Sequence, residues 1–418
     1  MIDIQLLRDK PDYVKEKSKQ KGYDVDVDRV LALDSERLDL LRQVETLRAR
    51  RNQNAEKMKQ SASSGKPDQA VIDEGKQIKL KLAEREELLS KAESSFYEHL
   101  KNLPNPTFDD VPIGDESCSI EIKKWGDQKT GAKDHLDFAV ERGWVDFEKG
   151  AKAAGAKFYY LKGDLALLEN AVTQYALNYL LSQGFTYMLV PHIVNTKTAA
   201  GAGFAPKSSD ESNEYFIEGE DLTLIGTAEA PLTGYHADDI IDEAALPLLY
   251  AGYSPCYRKE AGTYGKHSRG LFRVHQFNKL EMYAFALPEN SAALHEQILA
   301  HEEAIWQAIG IPYHIINIAS GDLGSPAAKK YDLEYWSPVD GAYRELTSCS
   351  NCTDFQARNL NIRVRRKDGR IDILHTLNGT AVSLARSLVA IIEHYQNPDG
   401  TLRVPEVLQK YMGGRETL

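Results

Sequence analysis

Two stretches of coiled-coil spacing dominate the first hundred residues of the chain. In the first, apolar positions recur at steps of 7, 4 and 3, at Leu33, Leu40, Val44 and Leu47. In the second, they recur at steps of 4, 7, 3 and 4, at Ile78, Leu82, Leu89, Ala92 and Phe96. Such spacing lines up apolar side chains along one seam of a helix, and Ser, Gly and Pro at 61–67 supply a turn. The pattern predicts an antiparallel helical hairpin whose helices are each about 35 residues, or roughly 50 Å, long.

A hairpin of this kind is either a dimerisation element or an arm that reaches a large partner. Its tip, QNAEKMKQSASSGKPD at 53–68, is polar and offers no apolar docking patch, which disfavours dimerisation through the tip. Two shorter amphipathic segments precede the hairpin, one around Ile4, Leu6 and Leu7 and one after Pro11. The stretch 101–118 is rich in Pro and acidic residues, as linkers are. We therefore place a boundary near residue 104 and expect domains 1–104 and 105–418.

Helical and strand patterns alternate in the second domain. A helical pattern begins at Asp164 and ends at Gly184, and a short apolar strand, FTYMLV, follows before Pro191. Further along the chain, Asn378–Gly379 predicts a turn. A helix then runs through 384–392 and stops at Asn397–Pro398.

The stretch 251–285 has the alternation of a long antiparallel hairpin. Its first strand runs through Tyr253, Pro255 and Tyr257, and its second runs from Leu271 to Glu281. The connecting loop, AGTYGKHSRG, is too long for a two-residue turn. Long loops between regular strands often carry function, so we expect a functional loop here.

Charged side chains occupy strand positions where a packed strand carries Val or Ile. They are Arg258, Glu260, Arg273 and Glu281, with Phe277 among them. Burying a charge is costly unless it has a partner. Arginines, carboxylates and a phenyl ring together suit a charged ligand with a flat ring. A solvated sheet face with cross-strand ion pairs would show the same pattern, and the alternation alone does not separate the two.

Three further polar sites stand out. Thr227 and Glu229 lie two residues apart at the predicted end of an apolar strand, so both side chains face one way and could hold an ammonium group. Glu345 and Ser348 lie near the predicted end of a later strand and offer oxygen ligands that suit Mg²⁺. Arg386 lies in an otherwise apolar helix, which predicts partial burial and an anionic partner. Each could also be an ordinary surface position.

Composition bounds the class of protein. At 418 residues the chain is long enough for more than one domain. No apolar run approaches the roughly 20 residues of a membrane span. The N-terminal sequence MIDIQLLRDKPD is charged and lacks an apolar secretory segment. We therefore expect a cytoplasmic protein without a membrane partner.

Cysteine content and charge narrow the chemistry. Four cysteines are too few for a disulfide scaffold, and the lone C-x-x-C at Cys349 and Cys352 is interpreted as reduced thiols rather than a zinc or redox site. The net charge of −11 argues against indiscriminate nucleic-acid binding. Basic runs at 48–51 and 363–370 are candidates for a local RNA-binding face, although such runs are more often solvated surface.

The hairpin stretch resembles a known family. R-K-E at 258–260, a Gly-rich loop and then F-R-V-H-Q-F-N-K-L-E at 272–281 resemble motif 2 of class II aminoacyl-tRNA synthetases in its seryl-tRNA synthetase form. The helix, strand and Pro at 164–191 resemble motif 1, and N-G-T-A-V-S-L-A-R-S at 378–387 resembles motif 3. The N-terminal hairpin, T-A-E at 227–229, H-Q-F at 275–277 and T-L-N-G at 376–379 favour the seryl type, and the likeness extends to the terminal V-P-E-V-L-x-x-Y-M at 404–412.

The resemblance implies a fold, a reaction and a set of partners. The fold is α+β, a class II synthetase-like antiparallel sheet of six to seven strands flanked by helices, with an N-terminal antiparallel coiled-coil arm that binds tRNA. The reaction attaches L-serine to its tRNA through seryl-adenylate, with ATP as substrate and Mg²⁺ as cofactor. The implied partners are tRNA(Ser), with tRNA(Sec) as a further candidate, and a second copy of the chain in a homodimer built on motif 1.

The resemblance also assigns residues. Those implied in catalysis are Arg258, Glu260 and Arg386. Those implied in serine binding are Thr227, Ala228, Glu229, Glu281, Asn378 and Thr380, with Glu281 and Thr380 reading the serine hydroxyl. Those implied in ATP binding are Arg258, Lys259, Glu260, Val274, Phe277, Glu345, Leu346, Thr347, Ser348 and Arg386. Glu345 and Ser348 are the implied metal ligands.

Two departures and two alternatives accompany this interpretation. Thr380 stands where many members have Ser, and GAGFAPKSSDES at 201–212 departs from the common G-x-G-Q-L-P-K-F. One alternative is a class II-like amino-acid ligase acting on a carrier protein, which the intact arm disfavours. The other is a non-catalytic coiled-coil adaptor, which the retention of Arg258, Glu260, Glu281 and Arg386 disfavours.

Overall fold

A computed structural model describes residues 1–63, 65, 68–204, 213–260 and 270–418. The chain divides into two compact units, Met1–Pro106 and Thr107–Leu418. Parts of the hairpin tip at 53–68 and of the stretch 201–212, and nearly all of the loop 261–270, lie outside the described residues. In the described part of the chain, no helix combines the length and apolar character needed to cross a bilayer.

Four helices make up the described part of the first unit. They are α1 (Ile4–Asp9), α2 (Pro11–Gln20), α3 (Val27–Ser63) and α4 (Gln69–Leu100). Asp68 begins α4 by accepting a hydrogen bond from the backbone N–H of Ala70 at 2.9 Å, which satisfies one of the free N–H groups of the first turn. The predicted helical hairpin is confirmed, and its seam contains a buried apolar cluster of Leu40, Val44, Leu82, Leu89 and Ala92.

The part of the hairpin nearer its tip is held differently. Asn54 is only 5% exposed, and its Nδ2 donates to the Val71 carbonyl oxygen at 3.0 Å and to the Glu74 carboxylate at 3.3 Å. A Cβ on Gly75 would lie 2.8 Å from Asn54 Oδ1, so the two helices approach closely at this level. A buried amide between helices costs stability but can fix their register, as it does in coiled coils.

The second unit holds the sheets and the remaining helices. The helices are α5 (His135–Glu141), α6 (Phe147–Ala154), α7 (Gly163–Ser182), α8 (Thr196–Ala202), α9 (Glu229–Gly234), α10 (Ser291–Ile309), α11 (Phe355–Asn359), α12 (Leu384–Tyr395) and α13 (Glu406–Gln409). The strands are β1 (Ile120–Trp125), β2 (Val145–Asp146), β3 (Tyr160–Leu161), β4 (Thr186–Leu189), β5 (Ile193–Asn195), β6 (Leu222–Leu224), β7 (Ile240–Asp242), β8 (Leu248–Tyr257), β9 (Gln276–Ala286), β10 (Tyr313–Asn317), β11 (Lys329–Ser337), β12 (Ala342–Asn351), β13 (Arg363–Arg365), β14 (Ile371–Ile373) and β15 (His375–Ser383).

The main sheet has eight strands in the order β1-β10-β11-β12-β15-β9-β8-β4. All neighbouring pairs are antiparallel except β4 and β8, which are parallel. The α+β class with a large antiparallel sheet is confirmed, while the expected six to seven strands are too few. Side chains of α7, α10 and α12 share one buried apolar core with β9 and β15, so the sheet is covered by helices and its central strands position the residues considered below.

Several predicted boundaries are wrong. The second strand of the long hairpin begins at Gln276, because Gly270–Phe272 forms a 3-10 turn instead of a strand. Asn378 and Gly379 form no turn but lie inside β15, paired with β12 and β9. Gly379 marks close packing, since a Cβ there would lie 2.3 Å from Ile298 Cγ2 on α10.

The middle of the expected linker, 101–118, also packs against the rest of the second unit. Val111 is 5% exposed and belongs to a small apolar cluster with Ile318, Leu323 and Ala327. The backbone N–H of Phe108 donates to the Ala328 carbonyl oxygen at 3.0 Å. These residues therefore belong to the second unit in structure, although their composition resembles that of a linker.

Candidate active site

A cavity of about 240 Å³ lies over the middle strands of the main sheet. It is bounded by residues of β9, β11, β12 and β15, of the first turn of α12, and of the segment that follows β8. The predicted site residues that line it are Arg258, Glu260, Val274, Phe277, Glu345, Leu346, Thr347, Ser348, Thr380 and Arg386. The tertiary structure thus brings together residues from four separate parts of the sequence.

Arg258 and Phe277 form one wall of the cavity. The β8–β9 register ends at the pair Tyr257 and Gln276, and the backbone N–H of Arg258 continues it by donating to the His275 carbonyl oxygen at 3.0 Å. The Arg258 guanidinium donates through Nε to the Gly226 carbonyl oxygen at 3.2 Å and lies 5.3 Å from the centre of the Phe277 ring. A fixed guanidinium beside a phenyl ring presents a cation and a flat apolar face to one ligand.

Arg386 and Glu345 form another part of the cavity lining. Arg386 Nη1 lies 3.1 Å from Glu345 Oε2 and also donates to the Glu345 carbonyl oxygen at 3.3 Å. This carboxylate is the anionic partner expected for Arg386. Burial would raise the pKa of the Glu345 carboxyl, but Arg386, Lys330 and Arg258 together hold that pKa at about 2. The Glu345 side chain keeps 40% of its surface exposed, so it remains accessible from the cavity.

Glu345 and Ser348 lie inside β12 and not near its end, which corrects the prediction. Two side chains three residues apart on a regular strand would point to opposite faces of the sheet. The β11–β12 register shifts between Leu333 and Glu334, leaving Leu346 unpaired opposite them, and this bulge changes the alternation between Glu345 and Ser348. Both side chains line the cavity as a result.

The donor set at this place fits a hard cation. Asp332 pairs with Ser348 across the two strands, and its Oδ1 is buried with no hydrogen-bond partner among the described residues. Among those same residues, no group of three His, Cys, Asp or Glu side chains is arranged to hold a metal ion. Mg²⁺ commonly takes only one or two carboxylates and completes its shell with phosphate oxygens and water, so the oxygens of Glu345 and Ser348 suit it.

Glu260 follows the end of β8 in an unusual backbone conformation. Its φ of +49° lies in the left-handed region that residues with a side chain rarely adopt. Its Oε2 accepts a hydrogen bond from Arg273 Nη1 at 3.0 Å. Strain of this kind is kept where the surroundings require it, often at ligand sites. Here it directs the carboxylate into the cavity wall.

A second, more buried group of polar residues adjoins this cavity. Glu229 and Asn378 are each 8% exposed, Glu281 is 1% exposed and Thr227 is 3% exposed. Thr227 and Glu229 do not lie at a strand end, because β6 stops at Leu224 and Glu229 is the first residue of α9, with Ala228 at its N-cap. The backbone N–H of Glu229 donates to Thr227 Oγ1 at 3.3 Å, so the two residues still lie together.

The two carboxyl groups of this cluster have raised pKa values. Burial, with a smaller effect of Glu281, raises the pKa of Glu229 to about 7 even though Gln356, Lys279 and Asn378 favour its ionised form. Burial also raises the pKa of Glu281, against the effect of Lys279. Two buried carboxyl groups near one another favour the binding of a positively charged ligand.

Two residues of this cluster were not identified from the sequence. Lys279 forms an ion pair with Glu281 and donates to Thr227 Oγ1 at 3.2 Å. It is a charged residue inside a strand, the signal that identified Glu281. Gln356 donates to Glu229 Oε1 at 2.7 Å from α11, and no sequence pattern pointed to it. Lys259, by contrast, is not among the residues that line the cavity, and its Nζ lies 5.7 Å from the Phe216 ring centre.

The basic runs differ in how far they are neutralised. In the run 363–370, Arg365 lies 3.3 Å from Asp242, Arg366 lies 2.8 Å from Glu289 and Arg370 lies 2.7 Å from Asp368. On α3, Arg48 pairs with Glu86 at 2.8 Å, whereas Arg50 and Arg51 are exposed with no ion pair among the described residues. Both runs stay candidates for an RNA-binding face, with more of the arginine charge at 363–370 neutralised by carboxylates. Cys349 and Cys352 are buried free thiols.

Two protein-family models match the chain, one at its N-terminal end and one within the second unit. The Seryl-tRNA synthetase N-terminal domain matches residues 1–107. The tRNA synthetase class II core domain (G, H, P, S and T) matches residues 214–395.

Comparison with individual proteins covers the whole chain. The serine–tRNA ligases of Dictyoglomus turgidum and Dictyoglomus thermophilum are 44% and 45% identical to it over 420 residues, which is 99% of this chain and 98% of each relative. The crystal structure of seryl-tRNA synthetase from Pyrococcus horikoshii complexed with ATP matches with a TM-score of 0.90 at 39% identity, covering 100% of this chain and 99% of that one. The cytoplasmic serine–tRNA ligase from Naegleria fowleri in complex with AMP matches with a TM-score of 0.86 at 32% identity, covering 100% and 98%.

Proposed function

The chain belongs to the seryl-tRNA synthetase family, and from this premise we propose that it attaches L-serine to its cognate tRNA through a seryl-adenylate intermediate. ATP is consumed, and pyrophosphate and then AMP are released. The observation that carries the proposal is that two sites of complementary chemistry share one wall. Lys279 and Thr380 line the arginine-containing cavity, and both are partners of Glu281 in the adjoining acidic cluster.

The first step needs positioning and charge neutralisation but no protein nucleophile. An oxygen of the serine carboxylate attacks the α-phosphorus of ATP, the bond to the β-phosphate oxygen breaks, and pyrophosphate leaves. Arg258 neutralises the α-phosphate and Arg386 the distal phosphates, since both guanidiniums line the one cavity. Phe277 stacks on adenine, and Glu260 accepts from its amine. Holding both substrates in line supplies most of the rate.

Mg²⁺ belongs with this proposal. Glu345 and Ser348 would hold it, and it would neutralise charge on the triphosphate when bound. The Glu345 carboxylate would then interact with two cations, the bound ion and the Arg386 guanidinium. The low pKa of Glu345 keeps the carboxylate ionised over the physiological pH range, which either neighbour requires.

Serine recognition divides between two ends of the buried cluster. The α-ammonium group lies at Thr227 and Glu229, and the hydroxyl lies between Glu281 and Thr380. Alanine lacks the hydroxyl and would leave these buried polar groups unpaired, which can discriminate by as much as about 10⁴. The methyl group of threonine would need space in a pocket whose side chains are already buried.

The second step transfers the seryl group to tRNA. A hydroxyl of the terminal adenosine attacks the adenylate carbonyl carbon, and AMP leaves with the bonding electrons. We assign tRNA binding to the N-terminal helices, because exposed Arg50 and Arg51 on α3 give a basic surface for an RNA backbone. tRNA(Ser) is the substrate proposed, and tRNA(Sec) is the second candidate to be tested beside it.

A homodimer and a cytoplasmic location complete the proposal. Large apolar side chains are exposed within and just beside the segment 164–191 that resembles motif 1, and they are Tyr160, Leu167, Leu181, Tyr187, Leu189 and Ile193. Leu189 on β4 is 74% exposed, and a second copy of the chain would cover such side chains. Leu189→Glu should therefore yield monomers in sedimentation, where the unchanged protein yields dimers. The proposal of a cytoplasmic location is supported by the structural match to the cytoplasmic serine–tRNA ligase from Naegleria fowleri.

The decisive experiment is the charging of total tRNA with labelled serine, with alanine and threonine in parallel. Charging with serine alone supports the proposal. Serine-dependent ATP–pyrophosphate exchange without charging would point to a carrier-protein ligase, which the match of residues 1–107 disfavours. If the protein shows neither tRNA charging nor serine-dependent pyrophosphate exchange, the proposal is wrong.

A further inference from the structure

Gln356 occupies a fully buried position between four polar groups. It lies on α11, is 0% exposed and uses both ends of its amide. Its Oε1 accepts hydrogen bonds from the Tyr283 hydroxyl at 2.9 Å and from Thr376 Oγ1 at 2.6 Å. Its Nε2 donates to Glu229 Oε1 at 2.7 Å and to the Ala202 carbonyl oxygen at 2.9 Å. All four bonding positions of the amide are therefore used.

The orientation of this amide follows from its partners. If the amide were turned over, Oε1 would face the Ala202 carbonyl oxygen and the Glu229 carboxylate, two acceptors that cannot donate while Glu229 is ionised. The Tyr283 hydroxyl donates in the observed orientation, and burial raises its pKa well above 10, so it stays a neutral donor. It also lies 2.7 Å from Thr233 Oγ1. Packing and hydrogen bonds thus fix which end of Gln356 meets Glu229.

The contact fixes the carboxylate of Glu229 in turn. Both amide donors that reach Glu229, from Gln356 at 2.7 Å and from Asn378 at 2.9 Å, bind the same oxygen, Oε1. Within the described residues no hydrogen bond reaches Oε2. A carboxylate held by one oxygen leaves the other for a ligand that can donate, such as an ammonium group.

We infer that Gln356 is a positioning residue for the amino-acid substrate, which fixes Glu229 so that its Oε2 receives the α-ammonium group of serine. The inference rests on the proposed function and adds a residue that does not touch the substrate. The charged groups that face Glu229 are Glu281 and Lys279 on β9, and neither contacts Gln356 in any hydrogen bond described. Gln356 therefore acts on Glu229 alone among these groups.

The pKa of Glu229 gives this role a specific signature. The Gln356 amide favours the ionised form of Glu229, whose pKa burial and Glu281 raise to about 7. Removing the donor raises that pKa further, so less of the enzyme carries the carboxylate at neutral pH. Weak serine binding should then recover at higher pH, which a general loss of packing would not produce.

The test is ATP–pyrophosphate exchange by Gln356→Met across a range of pH. Methionine keeps the size but loses both donors. We expect the KM for serine to rise by about 10- to 100-fold, as for loss of a hydrogen bond to a charged group. The KM for ATP should stay within about twofold of its original value, and the acid limb of kcat/KM for serine should move to higher pH. Tyr283→Phe removes one of the groups that orient Gln356 and should give a smaller change of the same sign.

Gln307→Met is the matched control. Gln307 donates to the Tyr313 hydroxyl at 2.7 Å from α10 and lines no part of the site, so its loss should leave both KM values and the pH profile unchanged. An unchanged serine KM in Gln356→Met, or equal losses for serine and ATP without a shift of the acid limb, would overturn the inference. If Gln356→Met does not fold, the serine KM and acid limb of Tyr283→Phe decide it. Absence of serine-dependent exchange in the unchanged protein would instead refute the proposed function.

Discussion

Glu281 on β9 and Thr380 on β15 are direct partners in the antiparallel register of the main sheet. Directly opposed residues project to the same face, with their Cβ atoms about 5 Å apart. Their exposures are only 1% and 4%, so a carboxylate and a hydroxyl face one buried space beside the cavity.

Substitution of Glu281 should affect serine far more than ATP. Glu281→Ala removes the carboxylate that we assign to the serine hydroxyl, and we expect kcat/KM for serine to fall by about 100-fold or more, with ATP affinity retained. Thr380→Ser keeps the hydroxyl and should retain most of the activity. Exchange kinetics with each substrate varied in turn measure both. An unchanged kcat/KM for serine in Glu281→Ala would remove Glu281 from the serine site.

Arg386 should not be replaceable by lysine. One guanidinium nitrogen, Nη1, contacts both the side chain and the backbone carbonyl of Glu345, and a lysine ammonium has no second nitrogen with which to hold phosphates at the same time. We expect kcat for adenylate formation to fall by about 10²-fold or more in Arg386→Lys. Arg358→Lys is a suitable control, because Arg358 pairs with Asp354 at 2.6 Å on α11 outside the cavity. Equal activity of the two variants would argue against the assigned role.

Serine activation should depend on pH through Glu229. Its raised pKa of about 7 means that the carboxylate, the form that binds an ammonium group, is lost as pH falls below about 7. We expect kcat/KM for serine to fall about tenfold per pH unit on the acid side of that value. Glu229→Gln should be less active and should lack this limb. An acid limb that persists in Glu229→Gln would assign it to another group.

Removal of the helical arm should separate the two steps. A variant without residues 30–100 keeps every residue of the cavity and the acidic cluster. We expect it to form seryl-adenylate at a normal rate and to charge no tRNA. Pyrophosphate exchange and tRNA charging measured on the same preparation test this. Normal charging by the shortened protein would refute the assignment of tRNA binding to these helices.

Asn54 should matter for tRNA charging and not for adenylate formation. Its side chain makes a buried polar contact between α3 and α4, nearer the hairpin tip than the apolar cluster of the seam. Asn54→Leu leaves the Val71 carbonyl without this donor and removes a contact that fixes register, so we expect about a tenfold rise in the KM for tRNA. Asn52→Leu makes the same change at an exposed neighbour. Equal KM values in the two variants would show that register near the tip is unimportant.

Much of the fold could be predicted from the sequence because the signals are local. The coiled-coil hairpin follows from apolar spacing within two continuous stretches, and α7 and α12 follow from periodicity and their Gly or Pro ends. One of the errors arose where a residue type serves two purposes. Gly379 was predicted to turn the chain, but its missing Cβ admits the side chain of Ile298 in the middle of a sheet.

The sequence by itself determined the family, through the motifs that resemble those of class II synthetases, and the arm, through apolar spacing within continuous stretches. Only the tertiary structure decided which of the candidate site residues act together. The bulge at Leu346 brings Glu345 to the cavity that Ser348 also lines, and the pairing of β9 with β15 sets Glu281 against Thr380. Gln356 reaches Glu229 although 126 intervening residues separate them. Strand register and helix packing set such distances, and neither is encoded in the spacing of one segment.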